Sequence, residues 1–190
     1  MKKEEISILD YGIGNLDSLS KFFKRLGYRA NITNKINDLE SSDLLILPGV
    51  GAYPIAMKNL NDLDLVDFLK SYTSRNKPLI GICLGMQLLA ENSTEFGYTD
   101  GLGVIPGFVD SINFSKWHIG WNSISIKKNY LHLFCNNKEM YFNHSYEFNC
   151  EEKFIIAKTF FDTKSKGINA VIQKGKIIGL QFHPEKSQEE

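Results

Sequence analysis

A chain of 190 residues with 43% hydrophobic and 23% charged side chains has ordinary globular composition, with room for one domain and a sizeable core. Lys+Arg and Asp+Glu both number 22, so no charge excess marks it for nucleic acid or an anionic membrane surface, and near-neutrality favours association with a protein partner. No apolar run reaches the roughly 18 residues of a membrane span and no signal-peptide core follows Met1. A single domain over 1–190 in the cytoplasm is expected. Cys83, Cys135 and Cys150 are odd in number and widely spaced, which is not a disulfide framework. Without CxxC, HExxH or a phosphate-loop pattern, neither a metal nor a cofactor is expected.

The first half alternates short apolar runs with helical periodicity. Ile6–Leu9 reads as a strand. Leu16, Leu19, Phe22, Phe23 and Leu26 follow at helical spacing and Gly27 stops the helix. Leu44–Leu47 is a second buried-strand candidate, ending in the breaker cluster Pro48-Gly-Val-Gly51. Helical patterns cover Tyr53–Leu60 and Leu63–Tyr72, Leu79–Ile82 is the next strand, and Leu84–Ala90 reads as helix. This alternation predicts an α/β fold with a mostly parallel central sheet flanked by helices, whose site lies at the carboxyl ends of the strands. The second half becomes strand-rich: Val104–Ile112, Ser123–Ile126, Glu139–Phe142, Phe154–Thr159, Ala170–Gln173 and Ile177–Phe182 form a smaller antiparallel part. No repeat or linker divides the chain.

The sharpest chemical signal is Gly81-Ile-Cys83-Leu-Gly85, placed where a strand turns into a helix. A nucleophile on such a turn sits in strained backbone, and glycines two residues either side relieve the crowding. The helix N-terminus favours negative charge at sulfur, and the Leu84 N–H would face the oxygen of a tetrahedral intermediate. The alternative is a buried Cys packing as a small hydrophobe. Pro48-Gly-Val-Gly51 lets backbone approach a ligand closely and offers a second oxyanion donor, or is a plain turn. In Phe182-His-Pro-Glu185, Pro184 pushes His183 into extended backbone, which would set Glu185 beside the imidazole as its orienting carboxylate. Two surface residues on a loop would look the same.

Taken together, Asp10-Tyr-Gly-Ile-Gly-Asn15, Leu47-Pro-Gly-Val-Gly-Ala52, Gly81-Ile-Cys-Leu-Gly-Met-Gln-Leu-Leu89, Gly120-Trp-Asn122, His144-Ser-Tyr146 and Gln181-Phe-His-Pro-Glu-Lys-Ser187 resemble the class I (triad) glutamine amidotransferase family over essentially the whole chain. Within it they resemble the glutaminase-subunit branch of imidazole glycerol phosphate synthase, of histidine biosynthesis. The resemblance implies a flavodoxin-like fold and a Cys83, His183, Glu185 triad that hydrolyses glutamine through a thioester. It implies an oxyanion hole from Val50 or Gly51 with Leu84, and a glutamine pocket involving Gly49, Gln87, Ser145 and Tyr146. Gln87 on a solvated helix face is the bland alternative. The ammonia would pass to a (βα)8 barrel cyclase in a heterodimer, with Asn15, Trp121, Tyr141 and Lys186 facing it. Weak activity without that partner is implied.

Three departures bear on the partner. Trp117 precedes His118 where the branch has Pro, Asn143 precedes His144 where Val is frequent, and Val104–Lys116 is short. An ammonia supplier to a surface-sugar amidotransferase is therefore a second reading. A stand-alone cysteine hydrolase and a non-catalytic partner protein are the third and fourth. The sequence also ends five residues after Glu185, where the family adds a closing helix. An apolar sheet face left bare there would lower stability or tighten the need for the partner.

Overall fold

The computed structural model describes residues 4–113, 116–127, 138–161 and 167–187. The first half runs β1 (Ile6–Leu9), α1 (Leu16–Arg25), β2 (Ala30–Thr33), α2 (Ile36–Ser41), β3 (Leu44–Leu47), α3 (Tyr53–Asp62), α4 (Leu65–Ser74), β4 (Leu79–Ile82) and α5 (Leu84–Gln87). The second half adds β5 (Asn92–Ser93), β6 (Thr99–Asp100), β7 (Gly107–Ser111), β8 (His118–Ile126) and β9 (Glu139–His144). It finishes with β10 (Tyr146–Cys150), β11 (Ile155–Thr159), β12 (Ile168–Lys174) and β13 (Ile177–Leu180), with single 3-10 turns at Glu152–Phe154 and Pro184–Lys186.

Among the described residues a nine-stranded sheet has the order β2-β1-β3-β4-β13-β12-β11-β8-β9. Its first five strands pair in parallel, and β13 onward continues antiparallel. The antiparallel part thus extends the main sheet, while a four-stranded sheet β10-β7-β5-β6 stands beside it. One face of the parallel half packs Leu45, Leu47 and Leu79 against Leu39, Leu60, Leu69 and Tyr72 of α2, α3 and α4. The other face receives Leu19 and Phe23 of α1 on Ile6, Ile8 and Ile46. Further along this face Ile80, Ile178 and Leu180 stay half-buried. No helix among the described residues is long and apolar enough to cross a membrane.

Several elements differ from the periodicity reading. The helix expected over Leu84–Ala90 ends at Gln87, because Leu89 and Ala90 bond back three residues, to Met86 and Gln87 carbonyls, and tighten out of α geometry. The strand expected over Val104–Ile112 narrows to β7; the Val104 and Ile105 N–H groups both donate to the Leu89 carbonyl in a turn. β2 and α2 carried too few apolar residues to stand out. β2 is an edge strand whose only buried residue is Thr33, so no apolar run was required there. Cys135 lies outside the described residues; Cys83 and Cys150 are free thiols.

The contact that brings α5 onto the sheet depends on Gly85. A Cβ there would lie 1.9 Å from the Leu47 carbonyl oxygen. Gly85→Ala should cost about 3 kcal/mol or more. Gly27→Ala, at φ +86° in open space, should cost about 1 kcal/mol. Urea unfolding of both variants checks this, and equal costs would count against a backbone-limited contact.

Candidate active site

β4 and α5 meet at Cys83, whose φ of 53° and ψ of −111° lie far from any favoured well for a side-chain-bearing residue. Such a residue persists only where its surroundings over-determine it, at a cost of roughly 1–3 kcal/mol. Here the Cys83 N–H donates to the Leu180 carbonyl at 2.7 Å. A Cβ on Gly81 would lie 2.6 Å from the Gly85 carbonyl oxygen, and one on Gly49 would lie 2.7 Å from both the Gly85 nitrogen and Leu84 Cβ. The Pro48–Gly51 loop therefore rests directly on the elbow. Tyr11 ties that loop to β1 by donating its hydroxyl to the Pro48 carbonyl at 2.7 Å. Burial, and then the nearby Cys83 sulfur, push the Tyr11 pKa upward, so this donor stays protonated.

β13 ends one turn before His183, which is 3% exposed. Its Nδ1 lies 2.9 Å from Glu185 Oε1, with both side chains buried. A carboxylate oxygen accepts, so Nδ1 carries the hydrogen and Nε2 is left for Cys83. Burial alone would lower the His183 pKa. Hydrogen bonds with Cys83 and then Glu185 outweigh it and raise the value to about 9. His183 is extended as expected, but Glu185 reaches it from the 3-10 turn Pro184–Lys186, not from an extended strand. The His183 N–H donates to the Tyr141 carbonyl at 2.9 Å and so fixes the segment to β9.

These groups open into a cleft of about 610 Å³. Val50, Gly51, Cys83, Leu84, Gln87, Ser145, Tyr146, His183 and Lys186 all line it, while Gly49 lies behind the loop and Glu185 behind His183. Gln87 is buried and not on a solvated face: its amide donates to the Tyr146 carbonyl at 2.9 Å and to Gln181 Oε1 at 3.1 Å. Gln181 also places its amide 4.0 Å from Cys83 Sγ. Trp121 and Tyr141 stack edge-on at 5.7 Å beside His183, and Lys186 Nζ lies 5.4 Å over the Tyr141 ring. Asn15 stands apart, exposed at the start of α1.

Glu95 was missed by motif reading. It is buried in the cleft wall, accepts the Tyr53 N–H at 2.9 Å, and burial raises its pKa. Its sequence surroundings, Asn92-Ser-Thr-Glu-Phe96, are polar and aperiodic, so only the fold marks it. Phe96 also borders the cleft without a sequence signal, and so do Trp117 and Asn143, which the sequence marked only as departures from the family pattern. Among the described residues no cluster of three or more His, Cys, Asp or Glu side chains could hold a metal.

A nucleophile on a strained turn, a buried imidazole oriented by a carboxylate, and glycine-rich backbone facing both make an acyl-transfer site. Comparison with known proteins agrees. The chain is 43% identical to the imidazole glycerol phosphate synthase subunit HisH of Listeria monocytogenes over 187 residues, 96% of this chain and 88% of the relative. It is 41% identical to the protein of that name from Lactococcus lactis over 193 residues, 100% of this chain and 94% of the relative. Among solved structures, one described as a glutamine amidotransferase superposes with a TM-score of 0.74 at 21% identity, covering 95% of this chain and 90% of that one. PurLQS from Thermotoga maritima also reaches 0.74, at 17% identity, covering 100% and 91%; both show the fold alone. The family model described as glutamine amidotransferase class-I matches residues 7–190, and the chain belongs to that family.

Proposed function

We propose that this chain is the glutaminase subunit of an imidazole glycerol phosphate synthase, hydrolysing glutamine and passing the ammonia to a (βα)8 barrel cyclase in histidine biosynthesis. The observation that carries the reading is the buried Cys83, His183, Glu185 line at the floor of the cleft, set beside relatives named for that synthase. A sugar-modifying acceptor and a stand-alone hydrolase have no such support.

In this mechanism Cys83 Sγ attacks the carboxamide carbon while its proton resides on His183. The oxyanion is met by the Leu84 N–H and by an N–H of Val50 or Gly51. His183 returns the proton to the amide nitrogen, the C–N bond breaks, and ammonia leaves a γ-glutamyl thioester. Water, deprotonated by His183, then releases glutamate and the thiol. Gln87, Ser145, Tyr146 and the Gly49 loop hold the amino-acid end, and Glu95 is the anionic partner for its ammonium group. Trp121, Tyr141 and Lys186, grouped beside His183, and Asn15 on α1 face the cyclase. The free Cys83 and Cys150 thiols suit the reducing cytoplasm, the proposed location.

Glutamate release from glutamine, with and without the cyclase and its nucleotide ligand, tests the reading. Wild type should turn over slowly alone and much faster in the complex, and Cys83→Ala should lose at least about a thousandfold. Turnover indifferent to the cyclase would point to another acceptor. Glu95→Gln should raise KM for glutamine tenfold or more, by about 1.4 kcal/mol, with a smaller change in kcat; an unchanged KM removes Glu95 from the pocket.

The pH dependence follows from His183. Its proton is held more tightly than in an unfolded chain, so the charged form and its stabilisation are complete below about 6.5 and are lost as pH rises through about 9. The alkaline limb of kcat/KM should fall near that value, and Glu185→Gln should move it to lower pH by removing a raising interaction. A limb unmoved in the variant would show that Glu185 does not sustain the imidazolium.

A further inference from the structure

A line of side-chain hydrogen bonds crosses the β8–β9 pair to the cleft wall, and no step above uses it. At the inner end His144 Nδ1 lies 2.8 Å from the Tyr146 carbonyl oxygen. That oxygen only accepts, so Nδ1 bears the hydrogen and, on a neutral ring, Nε2 must accept. His118 Nδ1 lies 3.0 Å from His144 Nε2 and therefore donates. His118 Nε2 is then an acceptor, and the Asn122 amide nitrogen faces it at 3.5 Å. The same nitrogen donates to the Phe160 carbonyl at 3.1 Å, which fixes the amide's orientation. Along the line itself the donors thus point one way, from Asn122 through His118 and His144 toward the cleft.

Both rings are in surroundings that keep them neutral. His118 lies flat on Phe142, centroids 4.3 Å apart at 19°, and both histidines are buried. Burial lowers the His118 pKa to about 4 and is the leading cause that lowers His144 to about 3. Only one arrangement of protons satisfies the line, since turning either ring's tautomer sets two N–H groups or two lone pairs face to face.

The line ends on an atom that matters to the site. The Tyr146 carbonyl accepts from His144 on one side and from the Gln87 amide at 2.9 Å on the other. We propose that His118 is a positioning residue for glutamine: through His144 it holds the Tyr146 carbonyl and the Ser145–Tyr146 wall against Gln87, and so sets substrate affinity and not the rate of bond cleavage. The proposal rests on the glutaminase reading of this cleft.

The test compares His118→Phe and His118→Asn in the full complex. Phe retains the stack on Phe142 but has no ring nitrogen, whereas Asn offers an N–H near the Nδ1 position. His118→Phe should raise KM for glutamine tenfold or more with kcat within about twofold, and His118→Asn should recover most of the loss. An unchanged KM, an equal loss in kcat, or no recovery in the Asn variant overturns the proposal. Nitrogen NMR of histidine-labelled wild type, which needs no turnover, should show both rings neutral and protonated at Nδ1 at pH 7. A charged ring or an Nε2–H form at either position overturns it as well. Wild type that releases no glutamate overturns the glutaminase reading and this inference with it, whereas normal wild-type turnover with a silent His118→Phe removes this inference alone.

Discussion

Cys83 can occupy its strained backbone only because three glycines take away the side chains that would hold the neighbouring segments apart. Gly85 lets α5 press on the end of β3, Gly81 lets β4 turn back toward Gly85, and Gly49 lets the next loop settle on both. The loop and the helix that adjoin the sulfur inherit their positions from this three-way backbone contact. The Pro48–Gly51 loop is placed by Gly49, Gln87 by the single turn of α5, and His183 by the register of β13 on β4, where Gly179 sits opposite Gly81 and Leu180 opposite Ile82. Rigid backbone is the appropriate support for a site whose donors must be in place before charge develops.

The site's second side is built differently. β8, β9 and the start of β10 mix backbone and side-chain contacts: the Tyr141 carbonyl anchors the His183 nitrogen, the His144 ring holds the Tyr146 carbonyl, and Trp121 stacks edge-on against Tyr141. Glu95 joins from yet another segment by clasping the first residue of α3, which Ala52 alone separates from the Pro48–Gly51 loop. The Glu95 side of the cleft and the Pro48–Gly51 loop therefore share one mechanical connection, through Tyr53.

The parts legible in the sequence were those where one residue type is forced. Cys83 between two glycines, and His183 before Pro184 with Glu185 following, each state a geometric need that little else satisfies, and the resemblance joined them into one site. The parallel strands were legible because burial on both faces demands continuous apolar runs such as Leu44–Leu47. What was hidden depended on tertiary placement. Glu95 looks like any polar loop residue until the turn after β5 brings it to the cleft. The edge strand β2 needed no apolar run, and the helix after Cys83 is shorter than its pattern because Leu88, Leu89 and Ala90, though helical in spacing, are buried in a tight turn leading to the second sheet. The His118–His144 line was invisible for the same reason, since 26 positions separate its two rings.

The place of β13 in the sheet has a consequence for how the chain acquires its chemistry. β13 lies between β4 and β12, joining the parallel half to the antiparallel half, yet it is the last of the described strands to be synthesised. Gln181, beside the sulfur, is 98 positions from Cys83. Until this segment leaves the ribosome, the emerging polypeptide holds two unjoined half-sheets and a thiol with no base beside it. Such late, distant pairing is slow and exposes strand edges while it waits. It also means that Cys83 gains its imidazole only after the last described strand has joined the sheet, so the thiol is without its base for as long as that pairing is incomplete.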